Sequence, residues 1–314
     1  MNGNGSKIEI FKPFGEAFEL MKKILFQPFD LKKWLVIGFA AWLANLGGGG
    51  GNFSYPNNRR EDAYKLNETI GQIPQPLLIT GICVLICVVL LLIVLFAWLR
   101  ARGGFMFIDC IVKNRGAIAK PWREFQKDGN SFFFFSLAVG FALLIFAGLL
   151  SLPILIPMIR DRNFFSVHEV YLISIIAAWA FVIIVLVLIW SLLASFMFPV
   201  MYRRRCRAVE GFRIVGGLIV AHPGEILLYC LFWIVLALAT VVVTCLATCA
   251  TCCIAAIPYV GTVILLPIFV LLRSFSLLFL RQFGPAYDVW AGFVPPEFVP
   301  VLLPPPSPLG TETG

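Results

Sequence analysis

The sequence predicts an all-α, polytopic integral membrane protein with six transmembrane helices arranged as three hairpins. Hydrophobic residues fill 60% of the 314 positions and charged residues only 13%, whereas soluble domains are roughly half apolar and about a quarter charged. Several apolar runs approach the roughly 20 residues that a membrane-spanning helix needs. This composition excludes a soluble enzyme, a disordered protein and a free nucleic-acid-binding protein as the nature of the whole chain.

Six apolar stretches are the predicted spans. The first is the shortest, because its 16 residues reach only about 24 Å at 1.5 Å per residue, so it is either a thin span or a re-entrant segment. The last is interrupted by Pro267. In chain order the predicted spans cover residues 31–46, 75–99, 131–153, 171–199, 225–256 and 259–280.

The distribution of basic residues predicts how the chain is oriented. Between successive spans the numbers of Lys and Arg alternate between high and low, which places 20 of the 25 on one side of the membrane and five on the other. Because basic residues are retained in cytoplasmic loops, both termini are expected in the cytoplasm, with the protein in the cell membrane. The alternation also favours a true crossing for the first segment. The net charge of +8 indicates contact with anionic phospholipid headgroups rather than with nucleic acid.

A threefold pseudo-repeat organises the predicted membrane domain, residues 1–281. Each unit has an amphipathic stretch that ends in a proline (Pro28, Pro121 or Pro223), followed by a span, an external loop and a second span. Amphipathic helices of this kind lie in the headgroup plane. The predicted units cover residues 11–99, 104–200 and 206–281, and a Pro-rich cytoplasmic tail covers residues 282–314.

Helical spacing predicts which face of each amphipathic stretch is apolar. In the first stretch, Phe14, Phe18, Met21 and Leu25 share one face, and acidic and basic residues lie opposite. The apolar faces of the other two stretches consist of Ile108, Ile111, Val112, Ile118 and Ala119, with Asp109 on the polar side, and of Val209, Phe212, Gly216, Ile219 and Val220.

A run of Cys and Thr near the end of the fifth span is a candidate thiol site for Cu(I) or Zn(II). Its thiols are Cys245, Cys249, Cys252 and Cys253, and Cys83 and Cys87 form the one plausible partner pair. The alternative interpretation is a small-residue packing face whose Thr hydroxyls bond to the helix backbone. We favour packing, so no metal and no cofactor is predicted.

Arginines are the candidate contacts for lipid headgroups or other anions. Arg273 is the one ionisable residue deep in a predicted span, where it either snorkels toward the cytoplasm or lines the bundle interior. The cluster after the fourth span consists of Arg203, Arg204, Arg205 and Arg207. Such a cluster anchors topology and attracts anionic lipid.

The sequence contains no catalytic constellation. The two histidines, His168 and His222, fall on opposite predicted sides of the membrane, and no nucleophile elbow, zincin or P-loop motif occurs. We therefore expect a non-enzymatic membrane protein that organises lipids, protein partners or a homo-oligomer at the cytoplasmic surface. The alternative is a channel or carrier for a small or amphiphilic solute, with Arg273 and Thr244 lining its path.

Three stretches carry a resemblance to known proteins. Residues 22–43, 201–232 and 258–290 resemble a group of uncharacterised prokaryotic multi-pass membrane proteins. These are similar in plan to the membrane domain attached to some glycerophosphodiester phosphodiesterases. The resemblance implies a six-span inner-membrane protein without the phosphodiesterase activity, because no catalytic domain is present in the sequence.

Overall fold

The computed structural model describes residues 9–46, 74–160, 169–251 and 257–291, and these form ten α-helices and no β-strand. The helices are α1 (Phe11–Leu25), α2 (Leu31–Ala44), α3 (Gln75–Val112), α4 (Ala119–Glu124), α5 (Gln126–Arg160), α6 (Glu169–Arg204), α7 (Ala208–Ala221), α8 (Pro223–Ala250), α9 (Pro258–Ile264) and α10 (Leu266–Arg281). The all-α prediction is confirmed for this part of the chain.

Four helices are long and apolar enough to cross a membrane: α3, α5, α6 and α8. Each coincides with one of the four longer predicted spans. At the first and last predicted spans, the described residues form helices shorter than the predicted spans. Helix α2 has 14 residues, about 21 Å. The last span is divided at Leu265 into α9 and α10, and Pro267 lies at the start of α10, where the missing N–H of proline costs no hydrogen bond.

The Asp30 carboxylate caps the start of α2. The Asp30 side chain accepts hydrogen bonds from the backbone N–H groups of Lys32 (2.9 Å) and Lys33 (3.3 Å). These donors have no partner within the first turn of α2, so the cap satisfies them and fixes where the helix begins.

The second predicted amphipathic stretch does not form a separate helix. Its first residues, 108–112, complete α3, which runs for 38 residues, and only the six-residue α4 follows the turn. Residues 103–112 are all buried by the surrounding helices. The sequence pattern could not show this burial, so it predicted one surface helix where the structure has the end of a long helix and a short one.

Burial is concentrated where the ends of the four long helices meet. We call this region the packed end: residues 97–135 (the end of α3, α4 and the start of α5), 190–204 at the end of α6 and 222–230 at the start of α8, together with α1, α2 and α10. The rest of each long helix forms an apolar arm, and the arms cover residues 77–96, 137–152, 177–189 and 231–250. No described side chain in the arms is buried. Exposed apolar surface of this extent requires a lipid environment.

Close backbone contact between α2 and α3 depends on glycine. A Cβ at Gly103 would lie 2.6 Å from both the carbonyl carbon and the Cβ of Leu43. A Cβ at Gly116 would lie 3.1 Å from the Cα of Lys33. Helix α2 is therefore antiparallel to the end of α3, and its first turn lies near the end of α3.

Candidate functional site

A buried carboxylate organises the polar part of the packed end. Asp109 is fully buried, and its Oδ1 lies 2.5 Å from Nζ of Lys113, one turn later on α3. Nη2 of Arg115 lies 3.0 Å from the other oxygen, Oδ2. The phenol of Tyr202 on α6 donates a hydrogen bond of 3.0 Å to Oδ1. The carboxylate is thus fully partnered and ties α3 to α6, as a buried charge must be if it is not to destabilise the fold.

A second ion-pair group joins the end of α6 to α4 and α5. The guanidinium of Arg205 pairs with Glu124 and lies 3.4 Å from Oδ2 of Asp128. It also lies 3.9 Å from the centroid of the Phe125 ring. Nζ of Lys113 lies 3.7 Å from Glu124, which connects this group to Asp109. These charges are engaged with one another, so the network connects helix ends and offers no free nucleophile.

Arg102 is held between two indole rings. Its guanidinium lies 4.3 Å from the Trp98 ring centroid and 5.0 Å from that of Trp122. Oδ1 of Asn130 accepts hydrogen bonds from Nη2 of Arg102 (3.0 Å) and from Nε1 of Trp98 (3.2 Å). Tryptophan and arginine are typical of the membrane–water interface, and this group lies where the arm of α3 meets the packed end.

Arg273 is half-buried in a different environment, where no carboxylate of the described residues pairs with it. Its guanidinium lies 5.2 Å from the centroid of the Phe198 ring, and its Nε is buried without a hydrogen bond among the described residues. Tyr229 and Arg100 are its electrostatic neighbours. The phenol of Tyr229 is within hydrogen-bond distance of Oγ of Ser276 (2.7 Å). Arg273 therefore brings a positive charge into an aromatic interior.

An apolar groove with an enclosed volume of about 70 Å³ lies between α6 and α8. Leu188 and Ile234 are both exposed and flank its mouth. The groove therefore opens on the apolar arms rather than on the polar surface. Its lining residues are Leu188, Ser191, Leu192, Ser195, Tyr229, Cys230, Trp233 and Ile234.

The arginines predicted as anion contacts do not form one site. Arg205 is engaged in the ion pairs described above, and Arg204 lies 5.6 Å from the Tyr287 ring centroid. Arg203 is half-buried, and Arg207 is exposed at the start of α7. Arg273 lies apart from these four, on α10.

The Cys and Thr cluster is only partly described. Cys245 and Cys249 are exposed thiols on the arm of α8, and Cys252 and Cys253 lie outside the described residues. Three Thr hydroxyls of the cluster donate to the backbone carbonyl four residues earlier, as a packing face would have it: Thr240 to Leu236 (2.8 Å), Thr248 to Thr244 (2.8 Å) and Thr251 to Ala247 (2.7 Å). Cys83 and Cys87, the predicted partner pair, are exposed on α3.

Sequence reasoning missed the residues that organise the packed end. Asp109 was placed on the polar side of a surface stripe, whereas the structure buries it. The spacing of Asp109 and Lys113, four residues apart, was the one local signal of an ion pair. Nothing in the sequence indicated that Tyr202, 93 positions away, would complete the group.

The predicted apolar faces of α1 and α7 coincide only in part with the buried ones. In α1, Met21 and Leu25 are buried, as predicted, but Phe18 is exposed. In α7, Val209, Phe212 and Val220 are all exposed. The small residues Ala208 and Gly211, with Val215 and Leu218, form the buried face of α7 instead. Small residues allow close helix packing, and the larger apolar side chains remain on the outside.

Comparison with known proteins supplies a family and no biochemical role. No curated protein and no solved structure matches the chain. A link to the membrane domain of glycerophosphodiester phosphodiesterases is not shown, so that resemblance stays a prediction. One family model matches residues 9–283, and the chain therefore belongs to the family of unknown function DUF7544.

Proposed function

We propose that this protein is a non-enzymatic integral membrane module that organises anionic phospholipids, and through them protein partners, at the cytoplasmic surface of a prokaryotic cell membrane. One observation carries the proposal: four apolar arms extend from a packed end that is rich in basic residues. An arrangement of this kind places the arms in lipid and the packed end at the headgroups.

The exposed basic residues of the packed end support lipid contact. Lys120, Arg123 and Lys127, on α4 and the first turn of α5, are all exposed and take part in none of the ion pairs between described residues. Basic residues near a membrane surface each contribute about 1 kcal/mol of attraction to anionic lipid. The exposed apolar side chains of α7 suit the adjoining interfacial layer.

Contacts between helix ends support six crossings with both termini on one side. Nζ of Lys33, at the start of α2, donates to Oδ1 of Asn114, just after the end of α3 (2.6 Å), yet α3 begins at Gln75, at the far end of its arm. The end of α2 and the start of α3 therefore lie at opposite ends of that arm. Phe283, just after α10, contacts His222 at the start of α8, with 5.2 Å between the ring centroids, so the end of α10 and the start of α8 lie on the same side.

Glu9 and Gln282, which flank the described helical domain, are hydrogen-bonded to each other. The backbone N–H of Glu9 donates to the Gln282 side chain (2.8 Å), whose amide donates back to the Glu9 carbonyl (2.8 Å). Termini on one side fit an even number of crossings. The channel alternative has less support, since the hydroxyls of Thr240, Thr248 and Thr251 are bonded to their own helix.

Lipid selectivity in nanodiscs tests the proposal. The purified full chain is reconstituted in discs with equal parts of anionic phosphatidylglycerol and zwitterionic phosphatidylcholine, and the lipid retained after gentle delipidation is quantified. We expect enrichment of phosphatidylglycerol, and its reduction when Lys120, Arg123 and Lys127 are changed together to Gln. If the retained lipid matches the input mixture and co-purification from native membranes recovers no partner, the proposal is wrong.

Reporter fusions test the topology separately. A reporter at residue 60 is expected outside the cell and one at residue 115 inside. Reporters on the same side would contradict the proposed crossings, whatever the lipid measurements show.

A further inference from the structure

Arg100 and Arg273 form a pair of like charges without a counter-ion among the described residues. Neither takes part in any ion pair that those residues form, and each is near enough to repel the other. Nε of Arg273 is buried with no hydrogen-bond partner. Arg273 is half-buried and Arg100 is exposed. A guanidinium nitrogen that is buried without a partner is unfavourable, so the pair indicates that an anion binds beside Arg273.

Tyr229 and Phe198 connect the apolar groove between α6 and α8 with Arg273. Leu188, Leu192 and Ser195 line the groove, and Phe198 follows at the same helical spacing on α6, so the four share one face. The Arg273 guanidinium lies against the Phe198 ring. Tyr229 both lines the groove and neighbours Arg273. The groove and the charge are thus consecutive parts of one surface.

From this continuity we infer that the packed end holds one anionic phospholipid, with an acyl chain in the groove between α6 and α8 and its phosphate bound by Arg273 and Arg100. This inference rests on the proposed function only in that the arms lie in lipid.

The chemistry of the surface favours an anionic phospholipid over a water-soluble anion. The enclosed part of the groove is about 70 Å³, smaller than the roughly 300–1,000 Å³ of a whole ligand pocket, so it takes a segment of an acyl chain. The groove mouth opens between exposed apolar side chains, where that chain enters from the bilayer. The planar guanidinium fork matches phosphate geometry and binds it through two N–H groups. A water-soluble anion would meet the charge but leave the groove empty.

Native mass spectrometry of the detergent-purified full chain tests the inference. The probes are dioleoyl phosphatidylglycerol and dioleoylglycerol, which has the same acyl chains and no phosphate. We expect one phosphatidylglycerol to be retained per chain and dioleoylglycerol to bind at least about tenfold more weakly, as the loss of charge-assisted hydrogen bonds implies.

Variants separate this site from general lipid contact. Arg273→Gln is expected to lower phosphatidylglycerol affinity by about tenfold, and Arg273→Lys to restore part of it. The control Arg213→Gln removes an exposed charge on α7 and is expected to leave affinity unchanged. Ser191→Phe fills the groove and is expected to weaken binding, whereas Ala142→Phe, on the exposed arm of α5, is not.

Thermal stability gives a second readout that a purely structural role would not produce. In lipid-free detergent, Arg273→Gln is expected to be at least as stable as the wild type, because it removes a half-buried charge that has no counter-ion among the described residues. Added phosphatidylglycerol should stabilise the wild type and not this variant, since only a bound ligand shifts the unfolding equilibrium.

Three results would overturn the inference: equal retention of phosphatidylglycerol and dioleoylglycerol, equal behaviour of Arg273→Gln and Arg213→Gln, or stabilisation by inorganic phosphate to the same extent as by lipid. If the nanodisc enrichment of anionic lipid persists in Arg273→Gln, the proposed function survives and the specific site is wrong. If the enrichment is absent but one lipid is still retained through Arg273, the specific site survives and the proposed function is wrong.

Discussion

Tyr202 on α6 donates a hydrogen bond of 3.0 Å to Oδ1 of Asp109 on α3, and both side chains are buried. The two residues are separated by 93 positions, so this bond connects two of the long helices directly. Its energetic importance follows from the charge of the acceptor, because a hydrogen bond to an ionised group is worth about 1.5–3 kcal/mol.

Removing the Tyr202 hydroxyl is expected to destabilise the packed end. Tyr202→Phe should lower the free energy of unfolding by about 1–3 kcal/mol, since Asp109 loses a donor that water cannot replace. The thermal unfolding midpoint in detergent measures the effect. Tyr287→Phe is the matched control: this phenol is half-buried, its hydroxyl makes none of the hydrogen bonds described above, and the midpoint should change little. Equal shifts for the two variants would contradict the role given to the Asp109 bond.

Neutralising Asp109 is expected to cost more than removing its donor. Asp109→Asn leaves Lys113 and Arg115 beside an uncharged group, and breaking a buried ion pair costs about 3–5 kcal/mol. The same change in an exposed pair, Glu19→Gln beside Lys22 (side-chain exposure 58% and 42%), should cost no more than about 1 kcal/mol. Thermal midpoints of the two variants give the comparison, and a smaller loss for Asp109→Asn would show that the network is not a structural centre.

Adding a methyl group at Gly103, where α2 contacts α3, is expected to destabilise the protein. Gly103→Ala places a Cβ within 2.6 Å of Leu43, so α2 must move away, at a cost of about 1–3 kcal/mol. Gly81→Ala adds the same group to the same helix in open space and should be neutral or slightly stabilising, because alanine favours helix over glycine. Unfolding midpoints distinguish the two, and equal effects would show that α2 does not pack at Gly103.

The thiol of Cys206 is expected to react slowly with alkylating reagents. Burial, reinforced by the Glu210 carboxylate, raises the pKa of Cys206, and the thiolate is the reactive form. A higher pKa means less thiolate at any given pH, so alkylation should accelerate only at a pH above that at which an ordinary thiol reacts. The measurement is the rate of iodoacetamide labelling against pH in a variant that retains only this cysteine.

A thiol at the neighbouring exposed position 209 provides the comparison for Cys206. Val209 is 60% exposed, so Val209→Cys in a variant with no other cysteine should label faster near neutral pH. Identical rate profiles for the two thiols would contradict the burial of Cys206.

The long helices could be predicted from the sequence because the apolar runs that specify them are continuous along the chain. The apolar runs in α3, α5, α6 and α8 are continuous, and lipid as the solvent dictates both their length and their composition. The division of the last predicted span near Pro267 was also readable, since proline cannot donate a backbone hydrogen bond. The burial of Asp109 and of the end of α3 could not be predicted from the sequence, because it depends on helices that are distant in the chain.

The sequence by itself determined that this chain is helical, that its arms are apolar and that its basic residues gather at one set of helix ends. Only the tertiary structure decided which of these charges are partnered. Arg205 meets Glu124 and Asp128, whereas Arg273 meets an aromatic ring and the like charge of Arg100. The physical reason is that hydrophobicity acts residue by residue along the chain, while a charge is stabilised or left alone by whichever side chains the packing of distant helices brings near it.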